Sequence, residues 1–207
     1  MELECGLCLS FLMITRTRAI VLHLAKYSDK ASIAHLYTRE YGRVNCMVYG
    51  LGSRKGKLAR GMFQPLSIIE ADADFDSDRM PVLAAGAVNN IKTITYNDIT
   101  HNSIMLFLSE LLYKTLQHPL SDERLFDWIE GQVAELDSGA VSPNMHIRFM
   151  IVLGQYLGIM PETEENDIPV TRSERQSALD RLCKYYMTHI DGFTYPRSLD
   201  MLKTIFD

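Results

Sequence analysis

Apolar positions along this chain repeat with two different periods. From Thr17 to about Val88 the repeat is every second residue, and past Ile94 it becomes 3.6. The front part therefore predicts strands. Ala19-Ile-Val-Leu-His-Leu24 is an apolar, β-branched run, and Ala31 to Tyr37 is a second. The turn Arg39-Glu-Tyr-Gly42 then leads into a third run, where Val44, Cys46 and Val48 alternate with Arg43, Asn45, Met47 and Tyr49. Pro65 to Ala73 supplies a fourth, with Leu66, Ile68 and Ala71, and a fifth falls within Met80 to Val88. These strands are short and closely spaced, with no room for a crossover helix. They predict a small closed barrel rather than a βαβ layout.

The second part predicts helices. Ile104, Phe107, Leu108, Leu111 and Leu112 form one helical stripe. A second helix starts at Ser121 as N-cap, with Asp122 and Glu123 in its first turn, and shows Leu125, Trp128, Ile129, Val133 and Leu136 on one face. Ser142-Pro143 marks a third, which contains Phe149, Met150, Leu153 and Leu157 and stops at Gly158. An acidic connector from Pro161 to Val170 follows. Thr171-Arg-Ser-Glu174 is a capping box ahead of Leu179, Leu182, Cys183, Tyr186 and Met187, and a short last helix runs from Pro196. The fold class is α+β in two domains: a five-stranded barrel over residues 16–92 and an all-α bundle over 93–207.

Composition changes this picture little, but charge changes it considerably. The 207 residues are 47% hydrophobic and 23% charged, an ordinary globular balance, with a net charge of -5. Between Arg16 and Arg60, however, ten Lys/Arg face only Asp29 and Glu40, so that segment stands at +8. Such asymmetry fits a polyanion-binding front on an acidic body, with a merely solvated surface as the alternative. The focus is Gly42 to Gly61, a hairpin opening into a loop where Arg54, Lys55, Lys57 and Arg60 sit among Gly50, Gly52, Gly56 and Gly61. We read it as a phosphate-gripping hairpin.

Catalytic readings fare poorly. Gly52-Ser-Arg-Lys-Gly56-Lys57-Leu58 has three residues between its glycines where a Walker A loop needs four, and Leu58 stands where a Ser or Thr would hold the metal. Asp72, Asp74, Asp76 and Asp78 have the spacing of a solvated strand edge rather than of a nuclease metal site. The six histidines have no partner at triad or ligand spacing and are read as structural or exposed. Cys5-Gly-Leu-Cys8 lacks the second pair that a zinc knuckle needs, and Cys46 and Cys183 complete a set too scattered for a disulfide framework. The apolar run Leu7 to Ile14 follows Glu2 and Glu4 rather than a positive segment, and it is too short to cross a bilayer. Residues 1–15 read as an N-terminal extension, with Met13 as an alternative initiator. No enzyme, cofactor, metal or small-molecule substrate is expected.

The order of features resembles the RecO family of DNA-repair and recombination mediators. The likeness rests on Arg18-Ala-Ile-Val-Leu, Leu36-Tyr-Thr-Arg-Glu-Tyr-Gly-Arg43, the basic loop, Gln64-Pro-Leu66, and Leu153-Gly-Gln-Tyr-Leu-Gly-Ile-Met-Pro161 closing a central helix. It extends over most of residues 16–206. The resemblance implies an N-terminal OB-fold and a helical C-terminal domain in a cytoplasmic, nucleoid-associated protein. It further implies binding of single- and double-stranded DNA, strand annealing, work with RecR to load recombinase, and contact with the C-terminal tail of single-strand DNA-binding protein. The family's basic OB surface falls on Arg39, Arg43, Arg54, Lys55, Lys57 and Arg60. One departure is clear: many members insert a four-cysteine zinc module after the helix that ends near Gly158, and Glu162 to Thr171 contains no cysteine. The residues themselves leave more open. Tyr41 and Tyr49 are the candidate base-stacking rings. Arg148, Arg172, Arg175 and Arg181 are candidates for the basic rim of the tail pocket or, equally, solvated helix charges. The alternative function is an OB-fold adaptor that binds protein or RNA.

Overall fold

The structure is a computed structural model, and it describes residues 14–51, 60–76, 79–83, 88–92, 98–138, 142–160 and 171–205. Its front half is a curled mixed sheet followed by helices. The strands are β1 (Thr15–Lys26), β2 (Ala31–Thr38), β3 (Gly42–Tyr49), β4 (Ile68–Ala73), β5 (Val82–Leu83) and β6 (Val88–Lys92). Their order in the sheet is β5-β3-β2-β1-β4-β6. All pairings are antiparallel except β3 with β5. The sheet therefore has six strands where the apolar pattern predicts five. The region read as one last strand divides: Val82–Leu83 joins β3 at one edge, and Val88–Lys92 joins β4 at the other. The polar Asn89 and Asn90 on that outer edge hide the apolar alternation that would have announced a sixth strand.

β1 explains how the halves join. Ala19 and Val21 point into the barrel with Ala34, Leu36, Cys46, Val48, Ile69 and Ala71. Ile20 and Leu22, on the opposite face, pack with Tyr37, Leu66 and Ile68 against the helices. A strand buried on both faces reads as a continuous apolar run, and Ala19-Ile-Val-Leu22 is one. The sheet thus serves two cores at once.

The helices are α1 (Ile99–Thr115), α2 (Glu123–Asp137), α3 (Met145–Tyr156), α4 (Arg172–His189) and α5 (Ser198–Ile205). The capping box at α4 forms as predicted: the Thr171 hydroxyl accepts from Glu174 N–H while Glu174 accepts from Thr171 N–H. Two starts differ. α2 is capped by Asp122, whose carboxylate accepts from Arg124 and Leu125 N–H, one residue beyond Ser121. An ionised acceptor at the positive helix end outcompetes a hydroxyl there. α3 begins at Met145, because Ser142 closes a turn by accepting Met145 N–H before the helix proper. Gly158, at φ +68°, ends it in the left-handed conformation that glycine tolerates.

Candidate nucleic-acid interface

The basic loop singled out by its sequence lies outside the described residues, and with it Arg54, Lys55 and Lys57. Its two ends lie within the described residues. Leu51 and Phe63 are buried in the barrel core, 5% and 3% exposed, so both ends of the loop are held on the barrel rim. Arg60, at the far end, is exposed.

The other predicted cations face the helices. Arg39 makes a two-pronged contact with Asp127 (2.9 and 3.1 Å) and also reaches Glu123 at 2.9 Å. The Asp127 contact holds the Arg39 guanidinium well above its ordinary pKa and pulls the Asp127 carboxyl down. Arg18, on β1, pairs with Glu130 of the same helix. Glu123, Asp127 and Glu130 follow helical spacing, so α2 turns one acidic stripe toward the arginines of the sheet. Arg43 is sunk deeper. Its Nη1 donates to the carbonyls of Tyr113 and Leu116 at 3.0 and 2.9 Å, and its guanidinium lies 4.5 Å from the centre of the Tyr113 ring. Desolvation pulls its pKa down. Arg43 thus caps the C-terminal end of α1, where the carbonyls lack helical partners.

The two candidate rings separate. Tyr41 stacks on Phe75 with centroids 5.1 Å apart, and its hydroxyl meets the Thr15 hydroxyl at 3.1 Å. Tyr49 is 48% exposed at the end of β3. Two histidines that sequence spacing left isolated are in fact cross-strand neighbours. His23 on β1 and His35 on β2 stack at 5.8 Å, both against Tyr113 of α1. Desolvation lowers the His35 pKa, and Arg43 and His23 add to that effect.

The four arginines of the helical part also divide. Arg148 edges a cleft of about 230 Å³ floored by Trp128, Met145 and Val152. Arg172 and Arg175 line a crevice of only about 10 Å³ beside His146, whose pKa burial lowers to about 4. Arg181 is exposed on α4. Of the acidic cluster, Asp72 is bound by Arg16 at 2.7 and 2.9 Å. Among the described residues no three His, Cys, Asp or Glu side chains converge as metal ligands, and no helix is long and apolar enough to cross a membrane.

Comparison with known proteins decides the family. The description "Recombination protein O N terminal" matches residues 13–83, and "Recombination protein O C terminal" matches residues 96–167. The chain belongs to the RecO family. The curled sheet is thus the OB-fold part of a RecO chain, and the helices are its C-terminal part. Similar RecO proteins, each described as a DNA repair protein, occur in Phocaeicola vulgatus (29% identical), Bacteroides fragilis (26%) and Flavobacterium johnsoniae (28%). Each alignment covers 94% of this chain and all of the relative. The alignments run to 241–243 positions against 207 residues here, so these RecO relatives carry segments that this chain lacks.

Proposed function

We propose that this chain is a non-catalytic recombination mediator. It binds single- and double-stranded DNA without sequence preference, anneals strands and, with RecR, helps load recombinase onto DNA coated by single-strand DNA-binding protein. The observation that carries this reading is the basic loop, with its ends pinned on the rim of an OB-type barrel by buried Leu51 and Phe63. A cationic loop held this way follows a sugar-phosphate backbone by charge and reads no sequence. In this proposal Arg54, Lys55, Lys57 and Arg60 make the principal phosphate contacts. Arg39 joins them by exchanging the carboxylates of Glu123 and Asp127 for phosphates, while Arg43 holds α1 against the sheet. Tyr41 is held in its stack on Phe75, and Tyr49 is the ring open to bases.

The tail of single-strand DNA-binding protein is assigned to the cleft edged by Arg148. An acidic, aromatic-ended segment needs an apolar floor beside a cation: Trp128, Met145 and Val152 supply the floor and Arg148 the cation, with Gln132, Ser142 and Glu135 completing the lining. The crevice beside Arg172 and Arg175 is too small for a side chain.

The test is a binding series with oligo-dT across salt. Four neutralised phosphates give a log-log slope of about -3 on single strands. Arg54→Ala with Lys55→Ala and Lys57→Ala reduces the slope to about -1 and weakens binding at low salt. Indifference of the unaltered chain to oligo-dT at low salt would sink the proposal and leave the adaptor reading. RecR added to the same series tests the partnership: a RecR-dependent shift of the DNA complex is expected.

A further inference from the structure

Among the described residues, helices cover the outer face of the sheet at one end only. At that end Ile20, Leu22 and Tyr37 enter the helical core. Strand register carries the same face onward in parallel rows, because paired residues point to the same side. The first row beyond is His23, His35 and Asn45, closed by Tyr113. The next is Ala25, Ile33, Met47 and Val82, an apolar row across four strands. None of these four belongs to either core, Val82 is 53% exposed, and the others are only half-buried. The last row is Tyr27, Ala31 and Tyr49. Ala31 pairs with Tyr49, and Tyr27 N–H donates to the Ala31 carbonyl at 3.1 Å. The two rings are 67% and 48% exposed.

We infer that this row is a base-stacking platform for unstacked, single-stranded nucleic acid, with Tyr27 and Tyr49 as its two rings. Strands about 4.8 Å apart place the rings on either side of the small Ala31, about 10 Å from one another at the backbone. A planar base can therefore lean on each ring, with the apolar row of Ile33 and Met47 alongside. Charge selects the occupant. Lys26 and Lys30 stand exposed on the same hairpin. Among the described residues Lys26 pairs with Asp29, at 2.9 Å between two exposed side chains, a contact a phosphate readily replaces. On the other side β3 runs from Tyr49 through Leu51 into the basic loop. Lys26 and Lys30 thus border the Tyr27 ring with positive charge, as a chain of alternating phosphates and bases requires. The Tyr27-Ser-Asp-Lys30 turn is itself ordered, since the Ser28 hydroxyl accepts from Lys30 and Ala31 N–H. The platform is therefore built before a ligand arrives.

This inference rests on the DNA-binding function proposed above, and its test separates the two. Binding of oligo-dT is compared for the unaltered chain, Tyr27→Ala, Tyr49→Ala and the corresponding Phe variants, with thermal melts to check folding. Each alanine is expected to weaken binding roughly 10-fold. Each phenylalanine keeps the affinity, and the salt slope stays unchanged in all four, because stacking releases no counterions. Quenching of a 2-aminopurine base within the oligonucleotide should fall with the alanines and persist with the phenylalanines. Alanine variants that bind like the unaltered chain overturn the platform while leaving the proposed function standing. The platform is likewise overturned if they instead alter self-association or RecR binding, which would make this face a protein interface. An unaltered chain that ignores oligo-dT overturns both.

Discussion

Glu110 on α1 offers the sharpest test of how the helical part is held. Its carboxylate receives the N–H groups of Arg197 and Ser198 at 3.0 and 2.9 Å, the Ser198 hydroxyl at 2.6 Å and the Lys114 ammonium at 3.1 Å. It is an N-terminal anchor for α5 supplied by another helix, and it seats Leu199 and Leu202 in the core, both fully buried. Desolvation alone would raise its pKa, but the donated hydrogen bonds outweigh that and pull it from 4.5 to about 2. At about 1.4 kcal/mol per pKa unit this amounts to roughly 3 kcal/mol, and partial exposure of the carboxylate reduces it to about 1–2 kcal/mol. Because the folded pKa lies below the unfolded one, the stabilisation is complete above pH 4.5 and is lost as pH falls from 4.5 toward 2. Glu110→Gln should therefore lower stability by about 1–2 kcal/mol at pH 7, a fall in Tm of roughly 5 °C for a chain this size. Urea titrations followed by circular dichroism at pH 7, 5, 4 and 3 measure it, and the gap between variant and unaltered chain should shrink through the last two. A gap that is absent at pH 7, or one that stays constant down to pH 3, would refute the reasoning.

Two other expectations follow from the seam between sheet and helices. Gly42 has φ +64°, and a Cβ there would lie 2.4 Å from the Leu120 carbonyl oxygen. Gly42→Ala should cost at least about 2 kcal/mol in a urea titration, since both the backbone strain and the clash with main chain must be relieved. Neutralising the acidic stripe with Glu123→Gln, Asp127→Asn and Glu130→Gln frees Arg18 and Arg39 for phosphates and should raise oligo-dT affinity at low salt. A fall in affinity at unchanged thermal stability would show that these pairs serve DNA binding in another way.

Several features of this chain were legible because they are local. The apolar alternation of β3, the apolar run of β1 and the capping box at Thr171 each depend on neighbours within a few residues, and each forms as the pattern predicts. The positive front segment is likewise a property of composition alone. Small offsets at α2 and α3 arose where two capping groups compete within one turn, and there the stronger acceptor or an intervening turn decides.

Other features depended on contacts between distant residues. Arg39 and Arg43 look like members of one basic patch in sequence, yet their partners lie 88 and 70 residues away, on α2 and α1. No local pattern distinguishes an arginine bound to a helix from one open to solvent. Tyr27 sits in a turn, 22 positions from Tyr49, and only the register of β1, β2 and β3 makes them flanks of one row. The same register turns His23 and His35 from scattered residues into a stacked pair. Sequence alone, through periodicity, caps and charge, determined that this chain is a strand-built basic front followed by a helical, acidic body. The tertiary structure decided which cations remain available and which rings face outward, because pairing and burial act between residues that the chain brings together only on folding.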